Sequence, residues 1–204
     1  MKIAITGGIG SGKSFVCRLL ETRGIRIYDC DEGAKRVMRS NDEVIDQLCR
    51  LVGKHVYKGR VLQKPVLAQF LLQSEAHKQA VNEIVHPAVA RDFEQSGLKW
   101  LESAILFESG FDKRVHFDNV VAITCPDAIR RARIMERDHI GEEKAQQWID
   151  AQMPQEIVMR KADFIIQNDG QANLMAQIDK LLGQIGLQTD RMTSGQEEEI
   201  ILAK

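Results

Sequence analysis

What this sequence has little of excludes several kinds of protein. No apolar run in its 204 residues approaches the roughly 18 residues of a membrane helix, so we expect no membrane partner. The 4 cysteines form no C-x-x-C pair and the 5 histidines no H-E-x-x-H motif, which predicts that the protein itself holds no metal. The formal net charge of −1 gives no general attraction to nucleic acid, so we expect no nucleic-acid partner. Any affinity for phosphate must therefore be local.

The composition fits an α/β protein of one domain with insertions. Apolar residues make up 44% of the chain and charged residues 28%, which is ordinary for a chain that buries a core. The cysteines have no pairing pattern, and the chain starts with a strand pattern rather than a signal peptide. We therefore expect free thiols, a cytoplasmic location, and a monomer or a weak homo-oligomer.

The chain opens with a glycine-rich segment whose chemistry is well defined. Gly7 to Ser14 fits the pattern G-x-x-x-x-G-K-[ST], and it follows the short apolar run Ile3 to Ile5. In this pattern backbone N–H groups point at phosphate oxygens, Lys13 brings a positive charge to the β- and γ-phosphates, and the Ser14 hydroxyl can bind the Mg²⁺ that a nucleotide carries. A helical pattern follows, so the phosphates would lie at a helix N-terminus. The alternative is an ordinary glycine turn, but the full motif favours a nucleoside triphosphate site.

Further apolar runs predict a parallel sheet. The runs typical of buried strands are 3–5, 25–28, 101–107, 120–123 and 164–166. Helical patterns lie between them, which indicates crossover helices. The sequence therefore predicts a P-loop core with a five-stranded parallel sheet flanked by helices.

Two helical intervals are too long to be single crossovers. Residues 31–98 are almost wholly helical and predict an inserted subdomain, and the arginine-rich residues 126–161 predict a mobile lid. The expected nucleotide-binding core consists of 1–30, 99–125 and 162–186. The remaining residues, 187–204, carry turn formers and a run of glutamates, and we predict a flexible tail.

Two acidic residues, Asp29 and Asp31, follow the second predicted strand. Ligands of parallel sheets bind outside the carboxyl ends of the strands. Residues two apart on an extended backbone point the same way, so one carboxylate could accept a proton from a hydroxyl while the other organises the water of Mg²⁺ or neighbouring side chains. The alternative is that Asp31 only caps the next helix and Asp29 lies in the turn. The two roles are compatible.

Three arginines share one predicted helix face. Arg130, Arg133 and Arg137 are separated by three and four positions. A guanidinium group can stabilise the charge that spreads over a transferring phosphoryl group. The alternative is a solvated face on which Glu136 and Asp138 are the local partners.

Other polar residues have weaker signals. His86 precedes Pro87 between two predicted helices, and a lone histidine is more typical of a surface or hydrogen-bonded position. Glu108 ends the third predicted strand at its carboxyl end. Asn168 ends the last one within a turn sequence, so contact with a base or ribose is possible but a turn is the simpler interpretation.

Taken in order, these motifs resemble the dephospho-CoA kinase family over nearly the whole chain, to about residue 187. The segments that carry the resemblance are TGGIGSGKS (6–14), DCD (29–31) with AKR (34–36), HP (86–87), LFESG (106–110), RIMERD (133–138), QMP (152–154), AD (162–163) and NDG (168–170). The resemblance implies ATP and dephospho-CoA as binding partners. It also implies phosphorylation of the ribose 3′-hydroxyl, the last step of coenzyme A synthesis.

The resemblance also implies roles for individual residues. Asp31 would be the general base, with Lys13 and a lid arginine, Arg137 or Arg133, as further catalytic residues. The implied nucleotide contacts are Gly8, Gly10, Ser11, Gly12, Lys13, Ser14, Phe15, Arg133 and, near the adenine, Asn168. The implied contacts with dephospho-CoA are Asp29, His86, Phe107 and Glu108, in part from the inserted subdomain 31–98. Mg²⁺ would arrive with the nucleotide and meet Ser14.

The sequence departs from the family pattern at two positions. Phe15 stands where the family usually has threonine, so a hydroxyl near the α-phosphate is lost and ATP affinity should be altered. Ala104 stands where the family usually has proline, which should affect the rigidity of the strand end more than the chemistry.

Two other functions are compatible with the P-loop alone. A kinase of another small acceptor, such as a nucleoside monophosphate or shikimate, is the nearest; a shikimate kinase would carry a Gly-Gly-Gly turn, which this chain lacks. A GTP-dependent switch would carry N-K-x-D and a D-x-x-G behind a suitable strand, and neither is present.

Overall fold

The computed structural model describes residues 1–187, and the chain divides into two compact units. Within the described residues, the first unit contains Met1–Ile27, Lys99–Glu108 and residues 117–187. The second contains Tyr28–Leu98 and Ser109–His116. A flexible tail is predicted for residues 187–204, and residues 188–204 lie outside the described part of the chain. Among residues 1–187, no helix is long and apolar enough to cross a membrane.

The described chain alternates strands and helices. The strands are β1 Ile3–Thr6, β2 Ile27–Asp29, β3 Tyr57–Lys58, β4 Val61–Leu62, β5 Trp100–Glu102, β6 Asn119–Thr124 and β7 Phe164–Gln167. The helices are α1 Lys13–Glu21, α2 Cys30–Ser40, α3 Asp42–Val52, α4 Lys64–Gln73, α5 Glu75–Ser96, α6 Phe111–Arg114, α7 Asp127–Asp138, α8 Glu142–Asp150, α9 Gln155–Lys161 and α10 Leu174–Gln184. A 3₁₀ turn covers Lys54–Val56.

The predicted five-stranded parallel sheet is confirmed. Its strand order is β2-β5-β1-β6-β7, with β1 at the centre. Strand β1 pairs in parallel with β5 and with β6, and β6 pairs in parallel with β7. The carboxyl ends of these four strands therefore finish at one edge, to which the glycine-rich loop is attached.

The core of the first unit lies between the sheet and two helices. All of β1 is buried, and the apolar faces of α1 and α10 pack against the same cluster. Leu20 and Ile178 are completely buried there, and each such side chain contributes about 1.5–3 kcal/mol relative to an exposed one. This packing fixes the start of α1, and with it the loop that precedes the helix.

The second unit is built around the long helix α5. Helices α2, α3 and α4 pack against it, and its buried residues include Val81, Val85 and Phe93. The sequence had predicted an almost wholly helical insertion, and that prediction missed the short hairpin of β3 and β4. Gly59, at a φ of +61°, turns the chain between the two strands, and a glycine between two short segments that contain Tyr57 and Val61 is the sequence signal for this hairpin.

Two other predictions about secondary structure are wrong. The third predicted strand, 101–107, ends as β5 at Glu102, and residues 104–110 form turns. Leu106 is nevertheless fully buried, so the apolar run there marks a buried turn, and Glu108 does not end a strand.

Pro87 does not separate two helices, because α5 continues through it. An interior proline removes a backbone hydrogen bond, and the tertiary packing of α5 outweighs that loss.

Candidate active site

The glycine-rich loop joins β1 to α1 at the carboxyl edge of the sheet. Gly12 occupies the N-cap of α1 in the left-handed conformation, and the first turn of α1 has no acidic residue. Gly10 has a φ of +77°, and a Cβ there would lie 2.7 Å from the carbonyl oxygen of Arg130. Only glycine satisfies both the backbone angle and the space. The result is a helix N-terminus to which an anion can approach closely.

The Lys13 side chain lies over this loop. Its Nζ is 3.5 Å from the carbonyl oxygen of Gly8 and 3.8 Å from Oε1 of Glu102, and both charged side chains are largely buried. These two contacts hold the Lys13 ammonium group close to the glycine-rich loop. Glu102, the last residue of β5, was not among the predicted site residues. An acidic residue ending a strand next to the P-loop strand is the signal that could have found it.

Three further P-loop residues differ in their surroundings. Ser14 is exposed in the first turn of α1, so its hydroxyl is accessible to a ligand. The ring of Phe15 packs against the core and lies beneath the Arg18 guanidinium, 5.6 Å from its carbon. The hydroxyl of Ser11 is fully buried and has no hydrogen-bond partner within residues 1–187. Phe15 therefore contributes apolar packing at the start of α1.

The three predicted arginines of α7 occupy different environments. Arg130 is buried; its Nε donates to the carbonyl of Ile9 at 2.9 Å, and its Nη1 pairs with Asp127 at 2.8 Å. Arg133 Nη1 lies 3.3 Å from the carbonyl oxygen of Gly10. The Arg137 side chain is 61% exposed and pairs with Asp138. The role of Arg137 stays a prediction, while Arg130, which had been assigned no individual role, contacts the loop.

A buried thiol lies beside Arg133. Cys125 follows β6, and its Sγ is 3.4 Å from Arg133 Nη1. Burial raises the pKa of this thiol, although the positive charges of Arg133 and Arg130 act in the opposite direction. Cys125 is therefore an uncharged neighbour of the site.

Asn168, predicted to lie near the adenine, contacts the P-loop in this structure. Its Nδ2 donates to the carbonyl of Ser11 at 2.9 Å, and the side chain is buried. The backbone N–H of Asn168 donates to the carbonyl of Thr124 at 2.8 Å, so the pairing with β6 extends one residue beyond the end of β7. Asp169 accepts hydrogen bonds from the backbone of Ala172 and Gln171, which lower the pKa of its carboxyl. The predicted turn is present, and it aims the Asn168 amide at the loop.

Phe107 and Glu108, predicted to contact dephospho-CoA, meet the α8–α9 region. The Lys161 ammonium lies 4.8 Å from the centre of the Phe107 ring. Glu108 Oε1 accepts a hydrogen bond of 3.0 Å from the N–H of Met153. The adjacent Gln152 accepts one of 2.6 Å from the N–H of Ile9, at the tip of the P-loop. Gln152 had no predicted role, although it lies in one of the recognised motifs.

In the second unit, Asp29 is the N-cap of α2. Its Oδ1 accepts hydrogen bonds from the backbone N–H groups of Asp31, at 2.8 Å, and of Glu32, at 3.0 Å. The extended backbone ends at Asp29, and Asp31 is already helical. Both sequence interpretations of this pair were therefore wrong in geometry: the two carboxylates are not on one extended strand, and Asp31 is not the cap. The exposed Asp31 carboxylate stays available for chemistry.

A buried polar group holds α2 against α5. The Tyr28 hydroxyl donates to Asp92 at 2.5 Å, and Arg36 forms an ion pair with the same carboxylate. Burial and the neighbouring Asp92 raise the pKa of Tyr28, so the phenol stays protonated. Gly33 is packed against the Tyr28 ring so closely that a Cβ would collide with the hydroxyl. These contacts fix the helical turn that carries Asp31.

His86 lies half-buried on α5. Burial lowers the pKa of its imidazole below the ordinary 6.5, and the positive charge of Arg114 lowers it further, while a hydrogen bond with the Ser109 backbone opposes both. The side chain is therefore neutral at physiological pH. A neutral imidazole can both donate and accept a hydrogen bond, which suits the predicted contact with a substrate.

This shift predicts a pH dependence of stability. Because the folded pKa of His86 lies below the unfolded value of 6.5, its contribution to stability is fully present above the unfolded value and is lost as the pH falls from there through the lower folded pKa. We expect the free energy of unfolding to decrease between about pH 7.5 and about pH 5.5, and to decrease less in His86→Gln. Urea denaturation at both pH values measures the two slopes. Equal slopes in the wild type and in His86→Gln would contradict the assignment.

Taken together, the central-strand P-loop, its lysine and the surrounding donors define a P-loop kinase. A family model described as dephospho-CoA kinase matches residues 1–173. The chain belongs to the dephospho-CoA kinase family. No group of three or more His, Cys, Asp or Glu residues that could hold a metal is present in the described part of the chain.

An individual relative agrees with this assignment, and solved structures agree with the fold. A dephospho-CoA kinase from Bacteroides fragilis is 41% identical over 189 residues, covering 89% of this chain and 91% of the relative. A crystal structure of a protein from Thermus thermophilus matches with a TM-score of 0.73 and 31% identity, over 91% of this chain and 95% of the other. A dephospho-CoA kinase from Campylobacter jejuni has a TM-score of 0.65 at 24% identity, over 91% of this chain and 98% of the other, and supports the fold.

Proposed function

We propose that this protein transfers the γ-phosphate of ATP to the ribose 3′-hydroxyl of dephospho-CoA, the final step of coenzyme A synthesis. The observation that carries the proposal is a complete P-loop, with its lysine over the loop, in a chain whose first 173 residues match the dephospho-CoA kinase family. We further propose that the protein acts in the cytoplasm, as a monomer or a weak homo-oligomer.

In this proposal the phosphates bind along residues 10–15. The backbone N–H groups of the loop and of the first turn of α1 face the anion, and the helix N-terminus adds favourable electrostatics. Lys13 shifts its positive charge from Glu102 toward the β- and γ-phosphates. Arg133 stands at the loop, and either Arg133 or Arg137 stabilises the transferring phosphoryl group.

The oxygen ligands at the loop suit Mg²⁺, because this ion prefers hydroxyl and carboxylate oxygens and keeps several of its waters. The exposed hydroxyl of Ser14 and the carboxylate of Glu102 are the candidate groups. When bound with the nucleotide, Mg²⁺ neutralises part of the phosphate charge. Side chains of the protein accept the proton of the hydroxyl and position the acceptor.

Asp31 is the proposed general base. As the 3′-oxygen forms a bond to the γ-phosphorus, the bond from that phosphorus to the bridging oxygen breaks, and the hydroxyl proton passes to the Asp31 carboxylate. Asp29 does not touch the proton; it holds the helical turn of Asp31 through two backbone hydrogen bonds. His86, Phe107 and Glu108 are the proposed contacts of dephospho-CoA, residues 31–98 its binding subdomain, and residues 126–161 the lid.

Acceptor discrimination tests this function. The protein is incubated with ATP, Mg²⁺ and, in separate reactions, dephospho-CoA, AMP or shikimate, and formation of ADP and of the phosphorylated acceptor is followed by chromatography. We expect rapid ADP formation only with dephospho-CoA. Rapid turnover of AMP or shikimate instead, or ADP formation that is independent of any acceptor, would contradict the proposal.

A further inference from the structure

The residue at the tip of the P-loop, Ile9, is held through both of its backbone polar groups. Ile9 donates its N–H to Gln152 Oε1 at 2.6 Å, and its carbonyl accepts from Arg130 Nε at 2.9 Å. Its side chain packs against the small apolar cluster around Ile134 and Ile149. All three groups of Ile9 are therefore engaged by residues 126–161, the segment predicted to be a lid.

The next two carbonyls of the loop are held in the same way. The carbonyl of Gly10 accepts from Arg133 Nη1 at 3.3 Å, and that of Ser11 accepts from Asn168 Nδ2 at 2.9 Å. We call the carbonyls of residues 9–11 the outer carbonyls of the loop. Each of them accepts a side-chain hydrogen bond from beyond the loop, donated either by α7 or by the residue that follows β7.

This arrangement has a direct consequence for anion binding. When successive backbone N–H groups converge on an anion, the carbonyls of the same peptide units must point away from it. A carbonyl turned into the protein needs a donor, because an unsatisfied buried polar group costs about 1–3 kcal/mol. Donors on the outer carbonyls therefore favour the loop conformation in which the N–H groups face the phosphates.

We propose that Asn168 and Gln152 are positioning residues that pre-organise the phosphate-binding loop, and that Asn168 acts on the loop backbone rather than on the adenine base. Arg130 supplies the corresponding hydrogen bond to Ile9, and Arg133 the one to Gly10. The proposal rests on the proposed function only in that the phosphates of ATP bind at this loop.

The identity of the ligand distinguishes the two roles of Asn168. A residue that contacts the base affects nucleotides alone and changes the preference between ATP and GTP. A residue that shapes the loop affects every ligand that binds through its phosphates, including inorganic tripolyphosphate, which has no base. The experiment therefore compares the affinities for ATP, GTP and tripolyphosphate, each with Mg²⁺, by isothermal titration calorimetry.

The chain offers matched controls for both variants. Asn173 and Gln177 accept backbone hydrogen bonds, from the N–H of Ala176 at 3.0 Å and from that of Gln167 at 2.8 Å. Gln177 also donates to the carbonyl of Gln167 at 3.0 Å. Asn173→Ala and Gln177→Ala therefore each remove an amide side chain together with its hydrogen bonds to the backbone, without touching the loop.

We expect Asn168→Ala and Gln152→Ala each to weaken the binding of all three ligands by about tenfold, with the ATP-to-GTP ratio unchanged. We expect the two control variants to bind as the wild type does. Because Gln152 is only half-buried, we expect Gln152→Ala to fold. If Asn168→Ala does not fold, Gln152→Ala still tests whether these side chains organise the loop.

Several results would overturn the inference. If Asn168→Ala weakens nucleotides but leaves tripolyphosphate unchanged, Asn168 contacts the base or ribose. If neither variant changes the affinities, or if the controls weaken binding equally, the side chains do not organise the loop. If the wild-type protein binds none of the three ligands, it is the proposed function that fails instead.

Discussion

We expect Asp31→Asn to lower the turnover number by about 10²–10⁴-fold, the usual contribution of a general base. Asparagine has the same shape as aspartate but cannot accept the proton of the 3′-hydroxyl. Helix α2 should remain intact, because its cap is Asp29 and the backbone N–H of Asp31 that donates to it is unchanged. Steady-state kinetics and ATP binding by calorimetry should therefore show lost turnover with largely unchanged ATP affinity.

Two neighbouring variants separate chemistry from structure in this experiment. Glu32→Gln removes an exposed carboxylate one residue away, whose partner is Lys35, and should leave turnover unchanged. Asp29→Asn keeps an oxygen that can cap α2, whereas Asp29→Ala loses it, so only the alanine variant should be less active. If Asp31→Asn retains wild-type turnover, Asp31 is not the base and only forms part of the first turn of α2.

The second large effect should come from the P-loop backbone. We expect Gly10→Ala to lower kcat/KM by about 10²-fold, the scale of a displacement of about 1 Å at an active site. The new Cβ would lie 2.7 Å from the carbonyl oxygen and 3.0 Å from the Cα of Arg130. These are backbone atoms of α7, so they cannot rotate out of the way, and either the loop or the start of α7 must move. Kinetics at limiting ATP measure the effect.

Gly24→Ala is a closely matched control for that substitution. Gly24 has a φ of +78°, nearly the same as that of Gly10, but a Cβ there would meet no atom within 4 Å. Both alanines carry the same left-handed strain of about 1–2 kcal/mol, and only the one at position 10 collides. Gly24→Ala should therefore lower the melting temperature and keep the wild-type kcat/KM. A Gly10→Ala variant of normal kcat/KM would show that the loop adapts without consequence.

Features encoded in a few consecutive residues could be predicted from the sequence. The P-loop is one such feature, because its glycines, Lys13 and Ser14 are adjacent and the apolar runs on either side have clear periods. The parallel sheet follows from the alternation of buried strands with helices. The apolar run of residues 101–107 shows the limit of this reasoning, since a buried turn and a buried strand have the same apolar composition.

The partners of individual side chains could not be predicted. Asn168 contacts the carbonyl of Ser11 across 157 positions, and Gln152 contacts the N–H of Ile9 across 143. Nothing local to Asn168 or Gln152 distinguishes a side chain that binds a ligand from one that shapes the loop. The three arginines of α7 show the same limit: helical spacing places them on one face, but only packing decides that Arg130 is buried and Arg137 exposed.

The N-cap of α2 is Asp29, two residues before the cap that the sequence suggested, Asp31. The sequence allowed Asp31 to be the cap of α2, but the helix begins at Cys30, and Asp29 takes that place. Boundaries of this kind are not determined by composition, because aspartate is favoured both at the cap and in the first turn. The correction matters for the mechanism, since it assigns the structural role to one carboxylate and leaves the other for chemistry.

The most direct test of the central claim is to locate the transferred phosphate. ATP labelled in its γ-phosphate is incubated with the protein, Mg²⁺ and dephospho-CoA, and the product is examined by phosphorus NMR and mass spectrometry. The account predicts that the label appears as a phosphomonoester on the ribose 3′-oxygen, which makes the product coenzyme A. Label found as inorganic phosphate, or on any other oxygen of the acceptor, would contradict it.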